Sequence, residues 1–166
     1  MKSTNSNLAE LIGFDVTWKV DEGMSDSVMI ENMLKWAEEK IGNSEYAGWC
    51  LSFIEDALEI SNNIEIFGGA SAKESCEMYY DAIQTGVPER GAFVFYDCMC
   101  PSEEGLVNWG HCGICLGGGR VIHAWDIVRI DDFMKIKELI QNSKKIVVFS
   151  GAGFSTESNI PDFRSA

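Results

Sequence analysis

The sequence predicts an α+β domain in which helices come first and an antiparallel sheet second. Apolar residues recur at helical spacing as far as about residue 86, and from Ala92 the period falls to two. Three glycines at 117–119 then separate two alternating segments, as a hairpin requires. Helices followed by a meander make an α+β layout rather than a parallel α/β one.

The elements follow in order. Residues 1–23 are polar and weakly patterned, with one short strand expected at 14–18. In the first helix Ile30, Met33, Leu34, Ala37 and Ile41 share a face, Asp26 or Ser27 caps the start, and Gly42 ends it. A second helix is expected from Cys50 to Ile60, with Leu51, Ile54, Ala57 and Leu58 on one side. Ser71 and Glu74 form a capping-box pattern that opens a third helix. Its face is Ala72, Cys76, Tyr79 and Ile83, and Gly86 with Pro88 closes it. Strands are expected at 92–96, 111–116 and 120–125, and the core is expected to close by about Asp132. Beyond it, Phe133, Ile136, Leu139 and Ile140 indicate a short helix. Ile146, Val147, Val148 and Phe149 then read as a buried-type strand.

A chain of 166 residues suits one domain, or one domain with an appendage. Its formal net charge of −13 disfavours nucleic acid, anionic membranes and anionic wall polymers as partners, since those need basic patches. No apolar run is long enough to span a bilayer. The polar residues 1–7 lead into no signal-type apolar region, so a cytoplasmic location with reduced thiols is expected for the six cysteines.

Two residue types carry the candidate chemistry. Cys50 falls at the predicted start of a helix, where free N–H groups and the macrodipole favour an anion. The two histidines, His111 and His123, both fall on the predicted hairpin. With the turn centred on Gly118, His123 pairs with Gly113 and His111 with Trp125. The imidazoles are then diagonal neighbours on one face, about 7–8 Å apart at the backbone. One can take the Cys50 proton while the other holds it in orientation. A slip of one residue would put them on opposite faces.

Cys98, Cys100, Cys112 and Cys115 also form a C-x-C…C-x-x-C array of the kind that can hold zinc. Strand alternation argues against it, because Cys112 and Cys115 would face opposite sides. No metal is expected.

The segment Tyr46-Ala47-Gly48-Trp49-Cys50-Leu51-Ser52-Phe53-Ile54 resembles the nucleophile segment of the papain-like, NlpC-type cell-wall peptidases. Arg90-Gly91-Ala92-Phe93-Val94-Phe95 resembles their first core strand. His111-Cys112-Gly113-Ile114-Cys115-Leu116-Gly117 resembles the strand bearing their base, and Val121-Ile122-His123-Ala124 the strand bearing their third polar residue. This likeness spans about residues 28–130. It implies a papain-like fold with Cys50 as nucleophile, His111 as base and His123 as orienter. Tyr46 and Trp49 would then border the substrate, and backbone N–H groups near Cys50 would form an oxyanion hole. The implied activity is amide cleavage in a peptide or peptidoglycan fragment.

The last stretch resembles something else. Residues 144–149 and the following Gly151-Ala152-Gly153-Phe154-Ser155, with Pro161-Asp162-Phe163-Arg164, resemble the opening NAD-binding segment of sirtuins. The domains expected are thus a hydrolase at 1–133 and a sirtuin-like start at 134–166. Gly151, Ala152, Gly153, Asp162, Phe163 and Arg164 would touch NAD only within a complete sirtuin domain, so no cofactor is expected for this fragment. The strand at 146–149 is expected to dock on the core or to pair with a second chain.

Overall fold

The structure is a computed structural model that describes residues 25–66, 68–83, 86–102 and 105–142. The strands expected at 14–18 and 146–149, and the loop of Gly151, Ala152 and Gly153 with Asp162, Phe163 and Arg164, lie outside the described residues.

Helix α1, Asp26–Glu38, buries Met29, Ile30, Met33, Leu34 and Ala37. The helical period names most of this face. Ile41 is the miss: it lies past the helix end and is 51% exposed. The N-cap is Ser25 rather than Asp26 or Ser27, and Asp26 sits in the first turn, where its charge favours the helix dipole. Helix α2, Cys50–Asn62, packs Phe53, Ile54, Ala57 and Leu58 into the same core. A polar tie joins the two helices. Asn62 Nδ2 donates to the Met29 carbonyl at 3.1 Å, and Asn32 Nδ2 donates to Asn62 Oδ1 at 3.1 Å.

Helix α3, Ala72–Met78, is shorter than its pattern predicts. The Glu74 N–H donates to Ser71 Oγ at 3.1 Å, as a capping box requires. The Glu74 carboxylate reaches one residue further back, accepting from the Ala70 N–H at 2.7 Å. The buried residues are Ala72 and Ser75; Cys76 is half-buried, and Ile83 is exposed in extended backbone past a 3-10 turn at Tyr80–Ala82. Burial of Ser75 is satisfied by the Gly69 N–H, which donates to its hydroxyl at 2.7 Å. That partner is invisible to apolar periodicity.

Strands β1 (Phe93–Tyr96), β4 (His111–Gly117), β5 (Arg120–Ala124) and β6 (Val128–Asp132) form one antiparallel sheet in the order β1-β4-β5-β6. Strands β2 (Met99–Ser102) and β3 (Gly105–Asn108) form a separate hairpin. Neither that hairpin nor β6 was expected from the pattern. Ile114 lies opposite Ile122 and Cys115 opposite Val121, as expected, but the tip differs: Gly117 pairs with Arg120 rather than facing the middle of a turn centred on Gly118, and an irregularity between Cys115 and Gly117 restores the expected pairing. Gly118 and Gly119 make the turn at φ +63° and +75°, the two positive values that a two-residue I′ hairpin needs.

The sheet has two covered faces. Cys112, Ile114, Leu116, Ile122, Ala124 and Val128 meet helices α1 and α2. Val94, Cys115 and Val121 meet helix α4, Phe133–Asn142, through a fully buried Ile136. The Phe133 N–H donates to the Gly119 carbonyl at 2.7 Å, which ties the start of α4 to the hairpin turn. The packed unit therefore runs past Asp132, because the second face of the sheet needs a cover. Among the described residues, no helix is long and apolar enough to cross a membrane.

Candidate active site

Cys50 is the first residue of α2 and is half-buried. The N-cap is Trp49, which makes no side-chain capping bond, so no side-chain oxygen from that position covers the first amides of the helix. The loop before it is anchored at two points. The Gly48 N–H donates to the Trp125 carbonyl at 3.1 Å and the Trp49 N–H to the Tyr46 carbonyl at 2.9 Å. The first bond brings the Cys50 end of α2 to the end of β5.

Tyr46 packs its ring edge-on to Phe53, with centroids 5.4 Å apart, and donates its hydroxyl to Asp56 at 2.7 Å. Burial and the Asp56 carboxylate hold its phenol above the ordinary range. Its hydroxyl is thus engaged inside the fold, bracing the loop that carries Cys50. Trp49 is half-buried beside the thiol.

The structure brings both histidines together. His111 opens β4 and His123 lies in β5, 3% and 0% exposed. His111 Nε2 is 2.8 Å from His123 Nδ1, with the rings near perpendicular at 83°. Gly113 makes room for this contact. A Cβ there would stand 2.6 Å from Val121 Cγ1 and 2.9 Å from His123 Cβ. The Trp125 ring lies edge-on to His111 at 5.0 Å, closing another side of the imidazole.

The Cys50 thiol is held well below the ordinary range. A hydrogen bond from the Cys112 thiol contributes most; the His111 charge, a hydrogen bond with His111 and the Cys112 N–H add to it, against the opposing effect of burial. Cys112 is driven the other way by burial and by Cys50, so the shared proton stays on Cys112. Since His111 Nε2 is taken by His123, the nitrogen left for the Cys50 sulfur is Nδ1. Glu55, on the same helix, is pushed up to about 8 by burial, with Glu59, Asp56 and Cys50 adding. It is largely protonated at neutral pH and does not oppose a thiolate.

The other cysteines differ in character. Burial raises Cys76 and Cys100 and pushes Cys98 up to about 12. The sulfurs of Cys98 and Cys100 are 3.8 Å apart in the β2–β3 region. Cys112 and Cys115 point to opposite faces of the sheet, as alternation predicts. Among the described residues, no group of three His, Cys, Asp or Glu is placed to hold a metal.

Asp131 is the site residue that sequence reasoning missed. It lies on β6, with Oδ2 3.3 Å from His123 Nε2 and 2.6 Å from Arg129 Nε. The signal was present in Val128-Arg129-Ile130-Asp131, which alternates apolar and polar residues over one short strand.

No protein-family model matches the chain, and no solved structure matches it. Sequence relatives match only a short segment. An NAD-dependent protein deacetylase of Clostridium perfringens is 67% identical over 36 residues, which is 22% of this chain and 15% of that protein. One from Clostridium tetani is 64% identical over 36 residues, again 22% and 15%. One from Bacillus cereus is 48% identical over 40 residues, 24% of this chain and 16% of its own length. The chain therefore spans about 15% of the length of the curated relatives it matches. The sirtuin-like resemblance is supported over that short segment, while the NlpC-type resemblance rests on its residues alone.

Proposed function

We propose that the domain is a cysteine hydrolase that cleaves an amide bond in a peptide or peptidoglycan fragment. Cys50 is the nucleophile, His111 the base and His123 the orienter. The observation that carries this reading is the pairing of His111 with His123 at 2.8 Å, together with a Cys50 thiol at the start of α2 that Cys112 and the His111 charge hold below its ordinary range. A thiol at an uncapped helix start, beside a base that is itself held by a third group, is the arrangement nucleophilic catalysis needs.

The chemistry follows from that line. Cys50 gives its proton to His111 Nδ1 and attacks the substrate carbonyl. The developing oxyanion is met by N–H groups at the start of α2. His111 returns the proton to the leaving amine, and water then releases the acyl group from the sulfur. The net charge of −13 favours short fragments over polyanionic polymers as substrates.

The deacetylase match favours a second reading, in which the domain is a non-catalytic regulatory or binding unit joined to an NAD-dependent protein deacylase. NAD would be its cofactor only with a complete sirtuin domain. One experiment separates the two. Wild type and Cys50→Ala are incubated with a library of stem-type peptides containing γ-D-glutamyl bonds, and cleavage is followed by mass spectrometry. Cleavage by wild type that disappears in Cys50→Ala supports the hydrolase. Absence of cleavage by wild type across the library supports the silent domain.

A further inference from the structure

His123 is fully buried between two partners, with Nδ1 toward His111 Nε2 at 2.8 Å and Nε2 toward Asp131 Oδ2 at 3.3 Å. Asp131 is itself 9% exposed. Arg129 Nε approaches its Oδ2 at 2.6 Å, and Lys135 Nζ stands 3.8 Å from its Oδ1. Burial works against ionisation of Asp131, but hydrogen bonds from Arg129 and His123 and the Arg129 charge outweigh it, so the carboxyl lies below its ordinary range. An ionised carboxylate can only accept hydrogen bonds.

A chain of consequences runs back to the thiol. Nε2 of His123 must carry a hydrogen to meet Asp131. Burial, followed by repulsion from His111, pushes His123 down to about 4, so near neutral pH it holds only that one ring hydrogen. Its Nδ1 is then a lone pair, which must be met by Nε2–H of His111. Whenever His111 is neutral, its hydrogen is thereby on Nε2 and its lone pair on Nδ1, the nitrogen that His123 leaves for Cys50.

We propose that Asp131 is a positioning residue that sets the tautomer of both histidines and so aims the basic nitrogen of His111 at Cys50. This rests on the hydrolase reading above. When the Cys50 proton moves to Nδ1, His111 becomes an imidazolium whose two N–H bonds point at the thiolate and at His123. Leucine at position 131 would break this order. It leaves His123 Nε2–H without its acceptor, which favours the His123 hydrogen on Nδ1, toward His111 Nε2, and so moves the hydrogen of neutral His111 to Nδ1 in turn. The base would then face Cys50 with an N–H instead of a lone pair.

The test reads imidazole tautomers in the full ¹⁵N-labelled chain by long-range ¹H–¹⁵N correlation, alongside peptide hydrolysis. Wild type should show neutral His123 protonated at Nε2, and Nδ1–H on His123 would overturn the proposal with no variant needed. Asp131→Leu should move the His123 hydrogen to Nδ1 and lower hydrolysis by about 100-fold or more, as loss of the correct tautomer does in a nucleophile–base–orienter triad. Asp131→Glu, which keeps the carboxylate, should restore the Nε2 tautomers and part of the rate. Unchanged tautomers and a rate within twofold in Asp131→Leu would overturn the role of Asp131 while leaving the hydrolase reading standing. Tautomers that follow Asp131 in a wild-type chain without hydrolysis would instead overturn the hydrolase reading.

Discussion

Replacing His111 with glutamine should lower kcat/KM for peptide hydrolysis by at least ~10³-fold, with KM little changed. Glutamine occupies a similar space but cannot take a proton from Cys50 or return one to a leaving amine. The interactions lost, His111 with Cys50 on one side and with His123 on the other, are the two that define the proposed line. Substrate binding does not require the base, so the loss falls on kcat. Steady-state kinetics on a cleaved stem peptide measures the split, and a decrease below tenfold would remove His111 from the mechanism.

Ile136→Ala should destabilise the fold by about 2–5 kcal/mol, the range for emptying a buried isoleucine site. Ile136 is fully buried against Val94, Cys115 and Val121, and it holds α4 to the sheet face that also carries both histidines. A chain ending after Asp132 loses Phe133, Ile136 and Ile140 together and uncovers that face. It should show no cooperative urea transition, whereas a chain ending after Asn142, which keeps α4, should show one. Equal urea midpoints for the two truncations would contradict this account of the sheet.

Much of this architecture is legible in the sequence, for identifiable reasons. Met33, Leu34 and Ala37, and later Ile54, Ala57 and Leu58, repeat at helical spacing because two helices share one core. The β4–β5 hairpin could be read because consecutive glycines supply the positive φ values of a tight turn. The irregularity between Cys115 and Gly117, which gives the pairing that puts His111 and His123 on one face, was not legible in them. The sequence is silent where polar groups do the structural work. Ser75 is buried through a backbone partner, and Cys112 reaches Cys50 across the helix–sheet interface. Strand β6 is a different case. Its alternation spans only five residues and ends in charged side chains, so Asp131 reads as a solvated acid until His123 and Arg129 are placed beside it.

The central claim is that Cys50 is an activated thiol, and its most direct test is a map of where a limiting electrophile goes. Iodoacetamide below one equivalent is added at pH 6, and the six cysteines are followed by peptide mass spectrometry. An ordinary thiol is thiolate to only about 0.3% at that pH, so thiols at or above the usual range react slowly. Lower basicity also weakens nucleophilicity, which leaves a net advantage on the order of tenfold for a thiol ionised there. The advantage of Cys50 should widen as pH falls from 8 to 6, because its displacement is downward while Cys76, Cys98, Cys100 and Cys112 are displaced upward. At pH 6 Cys50 should take most of the label. Label spread evenly over the six thiols, or taken first by half-buried Cys76, would contradict it.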